Sequence, residues 1–205
     1  MCEKPRVKCS RCPHQHFLPV TDDVIRSHLE GRGDQGKDCV IGVNPMLQDE
    51  TCLFLVVDFD EDGQQQDAEA FLETCREFDL PAAVERSRSG QGAHIWLFFE
   101  EAIPARPARS LGTFILKETM ERQPGIGLDS YDRLFPKQDA LLKGGYGNLN
   151  ALTLQKGPRE RGNSVVVDNQ FVPYSDQWSF LAKDLGKRLE DVIDAILLAL
   201  QHRIH

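Results

Sequence analysis

The stretch Cys52-Leu53-Phe54-Leu55-Val56-Val57-Asp58-Phe59-Asp60 decides how the rest of the chain is read. An apolar run of this length, closed by two carboxylates one residue apart, reads as a strand buried on both faces. Residues i and i+2 of a strand share a side, so Asp58 and Asp60 are expected to leave the sheet together at its carboxyl end. Two hard oxygen ligands on one rigid strand suit Mg²⁺ or Mn²⁺, which keep coordination positions open for phosphate oxygens. The plain alternative is an acidic turn, since Asp-Phe-Asp-Glu-Asp-Gly also ends a strand.

Working outward, Thr21-Asp22-Asp23 reads as an N-cap with acidic residues in the first turn, and the helix it starts stops near Gly31. Val40–Val43 reads as a short strand closed by Asn44-Pro45. Beyond Asp62-Gly63, the spacing of Ala68, Phe71, Leu72, Cys75 and Phe78 predicts a helix over 64–78. Strands are expected at 82–85 and 93–99, with the polar loop Arg86–Gly92 between them and His94 at the start of the second. A second amphipathic helix covers 104–122. Residues 125–147 show little periodicity. Strands follow at 148–154 and 164–167, and an apolar face of Leu189, Val192, Ile193, Ile196, Leu197 and Leu200 predicts one or two helices over 176–200. No internal repeat, low-complexity tract or domain linker stands out.

The 205 residues suffice for one α/β domain or two small ones. With 40% hydrophobic and 27% charged residues the composition is that of an ordinary globular protein. No apolar run approaches the ~18 residues of a membrane span, and the start, Met1–Pro5, has no apolar core of a secretory signal. A cytoplasmic setting is expected, with the six cysteines as thiols or metal ligands rather than disulfides. The net charge of −8 argues against a strong nonspecific nucleic-acid coat, though not against a local basic groove. Cys9-Ser-Arg-Cys12-Pro-His14-Gln-His16 has half the spacing of a zinc site with no obvious second half, so Cys9 and Cys12 are candidate Zn²⁺ ligands against the plainer reading of a tight turn stabilising the N-terminus.

Three pieces converge: Leu55-Val-Val-Asp-Phe-Asp60, Ser87-Arg-Ser-Gly-Gln-Gly-Ala-His-Ile-Trp96, and Ser130-Tyr-Asp-Arg-Leu-Phe-Pro-Lys-Gln-Asp139. Alone, each is ordinary: a core histidine, a hairpin turn, a solvated basic face. In this order they resemble the three motifs of the archaeo-eukaryotic primase superfamily, and most of all the primase domains of TOTE conflict systems and CRISPR-associated primase-polymerases. His28-Leu-Glu-Gly31, Gly144-Gly-Tyr-Gly-Asn-Leu149 and Asp176-Gln-Trp178 extend the likeness over almost the whole chain.

The resemblance implies an α+β fold: an RRM-like mixed or antiparallel sheet flanked by helices. It implies a single primase-polymerase domain over 1–205, with an N-terminal module (1–45), a catalytic core (46–175) and C-terminal helices (176–205). It also implies template-directed nucleotidyl transfer from dNTPs or NTPs on DNA, with two Mg²⁺ or Mn²⁺ ions and a larger prokaryotic multidomain protein around it. Asp58 and Asp60 are then the metal ligands, with Asp139 as first choice for the third carboxylate and Asp132 and Asp129 as rivals. His94 is expected to bind the triphosphate. Ser87, Arg88, Ser89 and Gly92 would cradle its phosphates, because glycine lets backbone approach closely. Arg133, Lys137, Gln138 and Asn148 are expected phosphate, template, sugar or base contacts. A nucleotide- or nucleic-acid-binding module without catalysis, and a metal-dependent nuclease, are the competing classes.

Overall fold

Four of the expected strands, at 52–60, 82–85, 93–99 and 164–167, pair antiparallel in one sheet. The computed structural model describes residues 19–33, 38–60, 62–123, 125, 128–141, 149–182 and 186–187. Helix α1 (Asp22–Glu30) is capped by Thr21, whose hydroxyl accepts from the Val24 N–H, and ends at Gly31 in the left-handed conformation. After the short β1 (Gly42–Val43) come β2 (Thr51–Phe59), α2 (Gln64–Glu77), β3 (Ala83–Arg86), β4 (Ala93–Pro104), α3 (Ala105–Arg122) and β5 (Tyr131–Phe135). The chain then forms β6 (Asn150–Ala151), α4 (Lys156–Glu160), β7 (Val165–Val167), α5 (Gln177–Leu181) and β8 (Gly186–Lys187).

The strand order is β5-β2-β4-β3-β7, with every neighbouring pair antiparallel. The β2-α2-β3-β4-α3-β5 unit is thus a split βαβ arrangement, with β4 inserted between β2 and β3. β8 pairs in parallel with Phe98–Phe99 of β4, and β1 pairs with β6 in a separate ribbon.

Period-two alternation divides the core. Leu55, Val57 and Phe59 of β2 with Ile95 and Leu97 of β4 meet Phe71 and Cys75 of α2 and Leu111 and Ile115 of α3. On the opposite face Val56, Trp96, Phe135 and Val166 form a second cluster, over which Tyr174 and Phe180 pack. The reading of β2 as buried on both faces therefore holds over Leu55–Phe59; nearer its start Leu53 is exposed.

Three expectations change. β5 lies inside the stretch read as aperiodic. The strands expected at 40–43 and 148–154 shrink to the two-residue β1 and β6. The helix expected from 176 stops at Leu181, and the apolar positions Leu189 to Leu200 lie outside the described residues, as do Cys9, Cys12 and the residues around them. Among the described residues no helix is long and apolar enough to cross a membrane.

Candidate active site

The carboxyl end of β2 lies between the start of β4 and the start of β5, because both neighbours run antiparallel to it. One row of the register reads Arg133, Asp58, His94, Glu85, Val166 across β5, β2, β4, β3 and β7. Cross-strand partners share a face, so these polar side chains stand beside the second apolar cluster, away from α2 and α3.

Asp58 is buried and Asp60 half-buried, and an oxygen of each lies within 4.8 Å of an Asp132 oxygen and of the other. Asp132 arrives through a bulge. Asp58 pairs with Arg133 and Phe59 with Tyr131, which leaves Asp132 as the extra residue of β5 and turns it toward the acid pair. The bulge is held from behind: Asp67 of α2 accepts from the Ser130 N–H at 3.1 Å and the Ser130 hydroxyl at 2.7 Å. The Asp60 N–H donates to the Ser130 carbonyl at 2.8 Å.

Arg133 lies across the cluster, with Nε 3.7 Å from Asp58 Oδ2 and Nη2 paired with Asp132. His94 Nε2 is 3.3 Å from Asp58 Oδ1, and its Nδ1 is 3.1 Å from Glu85 Oε2. Burial disfavours the His94 imidazolium, but the side-chain contacts with Asp58 and Glu85 outweigh it and raise the pKa to about 10. The Asp60 carboxyl is raised above the ordinary aspartate value by burial and then by the charges of Asp58 and Asp132, against the lowering influence of His94 and Arg133.

Asp58 Oδ1 is buried, with the His94 Nε2 ion-pair contact at 3.3 Å but no aligned hydrogen bond. A carboxylate oxygen with that single contact keeps lone-pair capacity for a further partner. Together with two further carboxylates converging on it, it fits a divalent cation that takes hard oxygen ligands. The acidic cluster could hold such a cation.

The loop joining β3 to β4 folds onto Asp60. The Ser87 hydroxyl accepts from the Gly92 N–H at 3.0 Å, the Ser87 N–H donates to the Gly92 carbonyl at 2.8 Å, and the Ser87 and Ser89 hydroxyls are 2.9 Å apart. Gly92 is required by contact: a Cβ there would lie 2.3 Å from Asp60 Oδ1 and 2.9 Å from the Phe59 carbonyl. Ser87 thus braces the turn, while Ser89 and Arg88 are exposed on it.

The structure brings together Asp58, Asp60, Asp132, Arg133, His94 and the Ser87–Gly92 loop. Asp139 stands apart from this cluster and pairs with Arg109 of α3 at 2.6 Å; Asp129 is exposed in the turn before β5. Lys137 is exposed, and Gln138 carries a buried Nε2 with no hydrogen-bond partner. Asn148 lies outside the described residues. Glu85 was not among the sequence-predicted site residues. Its signal was the hairpin itself: once Arg86 pairs with Ala93, Glu85 must face His94.

The family model of the TOTE conflict system archaeo-eukaryotic primase domain matches residues 1–194. The chain belongs to that family. No curated protein matches it. Archaeo-eukaryotic primase domains are nucleotidyltransferases of the primase-polymerase kind, acting on nucleotides and nucleic acid, and the acid cluster at the end of β2 suits that chemistry. In this primase domain one face of the sheet packs on α2 and α3, and the other carries the site beside the second apolar cluster.

Proposed function

We propose that this primase domain catalyses template-directed transfer of nucleotidyl groups from dNTPs or NTPs to a 3′-hydroxyl on DNA. The observation that carries the reading is the meeting of Asp58, Asp60 and Asp132 beside His94 at one end of the sheet. Two Mg²⁺ or Mn²⁺ ions held by these three carboxylates would supply the charge neutralisation that phosphoryl chemistry needs. Asp132 takes the third position in this reading, and Asp139 serves Arg109 instead.

The chain's own groups then bind and orient. His94 turns Nε2 toward the acids, where it can donate to a phosphate oxygen of the incoming triphosphate. Arg88 and Ser89, exposed on the Ser87–Gly92 turn, form the adjoining wall for those phosphates, while the N–H groups of Ser87, Gly90, Gln91 and Gly92 are taken up within the turn. Arg133, released from Asp58 and Asp132 as phosphates arrive, can pair with them. Lys137, Gln138 and Asn148 are assigned to template or sugar contacts, and the domain to a larger multidomain protein.

The test is primer extension on a DNA template with labelled dNTPs or NTPs and Mg²⁺ or Mn²⁺. Wild-type protein extends the primer, and a folded Asp58→Ala/Asp60→Ala variant does not. Full extension by that variant, binding without turnover by the wild type, or degradation of the primer would each sink the reading. An unprimed template in the same assay reports chain initiation.

A further inference from the structure

Glu85 is the most completely buried acidic side chain among the described residues, at 1% exposure. A carboxylate inside a sheet is expensive, and an apolar residue of its size would cost less. Its surroundings are specific. Oε2 accepts from the Trp96 indole N–H at 3.0 Å and faces His94 Nδ1 at 3.1 Å, while Oε1 accepts from the Ser164 hydroxyl at 3.3 Å. Glu85, His94 and Asp58 occupy one row of the register, so the imidazole lies between the buried acid and the acid cluster. Ser164 is tied further: its N–H donates to the Ser87 carbonyl at 3.3 Å, at the root of the β3–β4 loop.

We infer that Glu85 is the positioning residue of the nucleotide site, holding His94 by its Nδ1 proton so that Nε2 faces the place of the triphosphate. This rests on the nucleotidyl-transfer reading. The nitrogen of a histidine that is presented outward is set by the partner that the other nitrogen keeps. Trp96 and Ser164 fix the carboxylate, the carboxylate fixes the ring, and Ser164 joins both to the loop that walls the phosphates. Glu85 itself touches neither nucleotide nor cation; it acts through His94.

The test pairs two substitutions with a spectrum. Glu85→Gln keeps every contact, since its carbonyl can accept from His94 and Trp96 while its amide donates to the Ser164 hydroxyl. Glu85→Leu keeps the volume and removes the acceptor. On a primed poly(dT) template with dATP, the leucine variant should raise KM for dATP about tenfold or more, with kcat at saturation and template affinity within about threefold of wild type. The glutamine variant should restore KM to near the wild-type value. Long-range proton–nitrogen NMR of His94 should show a proton on Nδ1 in the wild type and in Glu85→Gln, and a ring released from that state in Glu85→Leu.

A leucine variant that melts as the wild type does and keeps its KM overturns the inference, as does a wild-type ring with no proton on Nδ1. If the leucine variant does not fold, Trp96→Phe, which removes one donor that fixes the carboxylate, should raise KM by a smaller factor of about threefold; an unchanged KM overturns the inference. If the wild type incorporates no nucleotide, nucleotidyl transfer fails as the function, and the ring spectrum alone decides whether Glu85 holds His94.

Discussion

At Asp132 one extra residue in β5 turns toward Asp58 a carboxylate that regular alternation would send to the helix side. Asp139, seven residues on, faces a guanidinium of α3 instead. The two acids should therefore respond differently to the same neutral substitution. Asp132→Asn should lower the incorporation rate about a hundredfold or more, because several kcal/mol of charge stabilisation depends on the cations and ~1.4 kcal/mol is tenfold in rate. Asp139→Asn should stay within about threefold, with at most a small loss of stability from an exposed ion pair. Single-turnover extension by the two variants checks this. The reverse order of effects would return the third position to Asp139.

Between elements, the contact that sets the site's geometry is that of the β3–β4 loop against the end of β2. Gly92 lies so close to Asp60 and to the Phe59 carbonyl that a methyl group has no room, and one of its neighbours is backbone, which cannot swing aside. Gly92→Ala is expected to cost about 1–3 kcal/mol of stability as overpacking and to displace the Asp60 carboxylate. Extension should fall at least tenfold even at temperatures where the variant remains folded. Gly125→Ala, whose added carbon meets no atom of the described residues within 4 Å beyond its chain neighbours, should leave melting and extension unchanged. Melting curves and primer extension on both variants test the contact. Near-wild-type extension by a folded Gly92→Ala protein would show that Asp60 tolerates displacement.

For the molecule as a whole, an acidic body carries its acid cluster at one end of a sheet, with His94 and Arg133 as the cations beside it. That arrangement couples folding to pH. His94 is raised from about 6.5 in the unfolded chain to about 10 in the fold by Asp58 and Glu85, against burial. A raised histidine binds its proton more tightly when folded, so its contribution to stability is complete below pH ~6.5 and disappears as pH rises through about 10. In chelator, the melting temperature of the wild type should exceed that of His94→Gln by its widest margin near pH 6. The gap should narrow steadily above neutrality and close by about pH 10–11. A gap independent of pH would mean that His94 stabilises the fold by packing alone.

Alternation and apolar spacing in the chain were enough for β2, α2, β3, β4, α3 and α1 with its cap, because these elements bury regular stripes whose period is local. The same local rule set Asp58 and Asp60 on one side and His94 near them, since a strand's i, i+2 geometry and a hairpin's two arms leave little freedom. Motif order likewise carried the resemblance to the primase family that the family match bears out. The third acid was not legible in this way. Asp132 and Asp139 sit in one polar segment of similar composition, and what separates them is a bulge created by pairing with β2 and braced by Asp67, sixty-odd residues earlier. Glu85 was equally hidden, because a lone acid in a short strand acquires meaning only from the indole, hydroxyl and imidazole that three-dimensional packing brings to it. Local periodicity is written residue by residue; a bulge and a buried network depend on partners from several elements, and only the folded sheet assembles them.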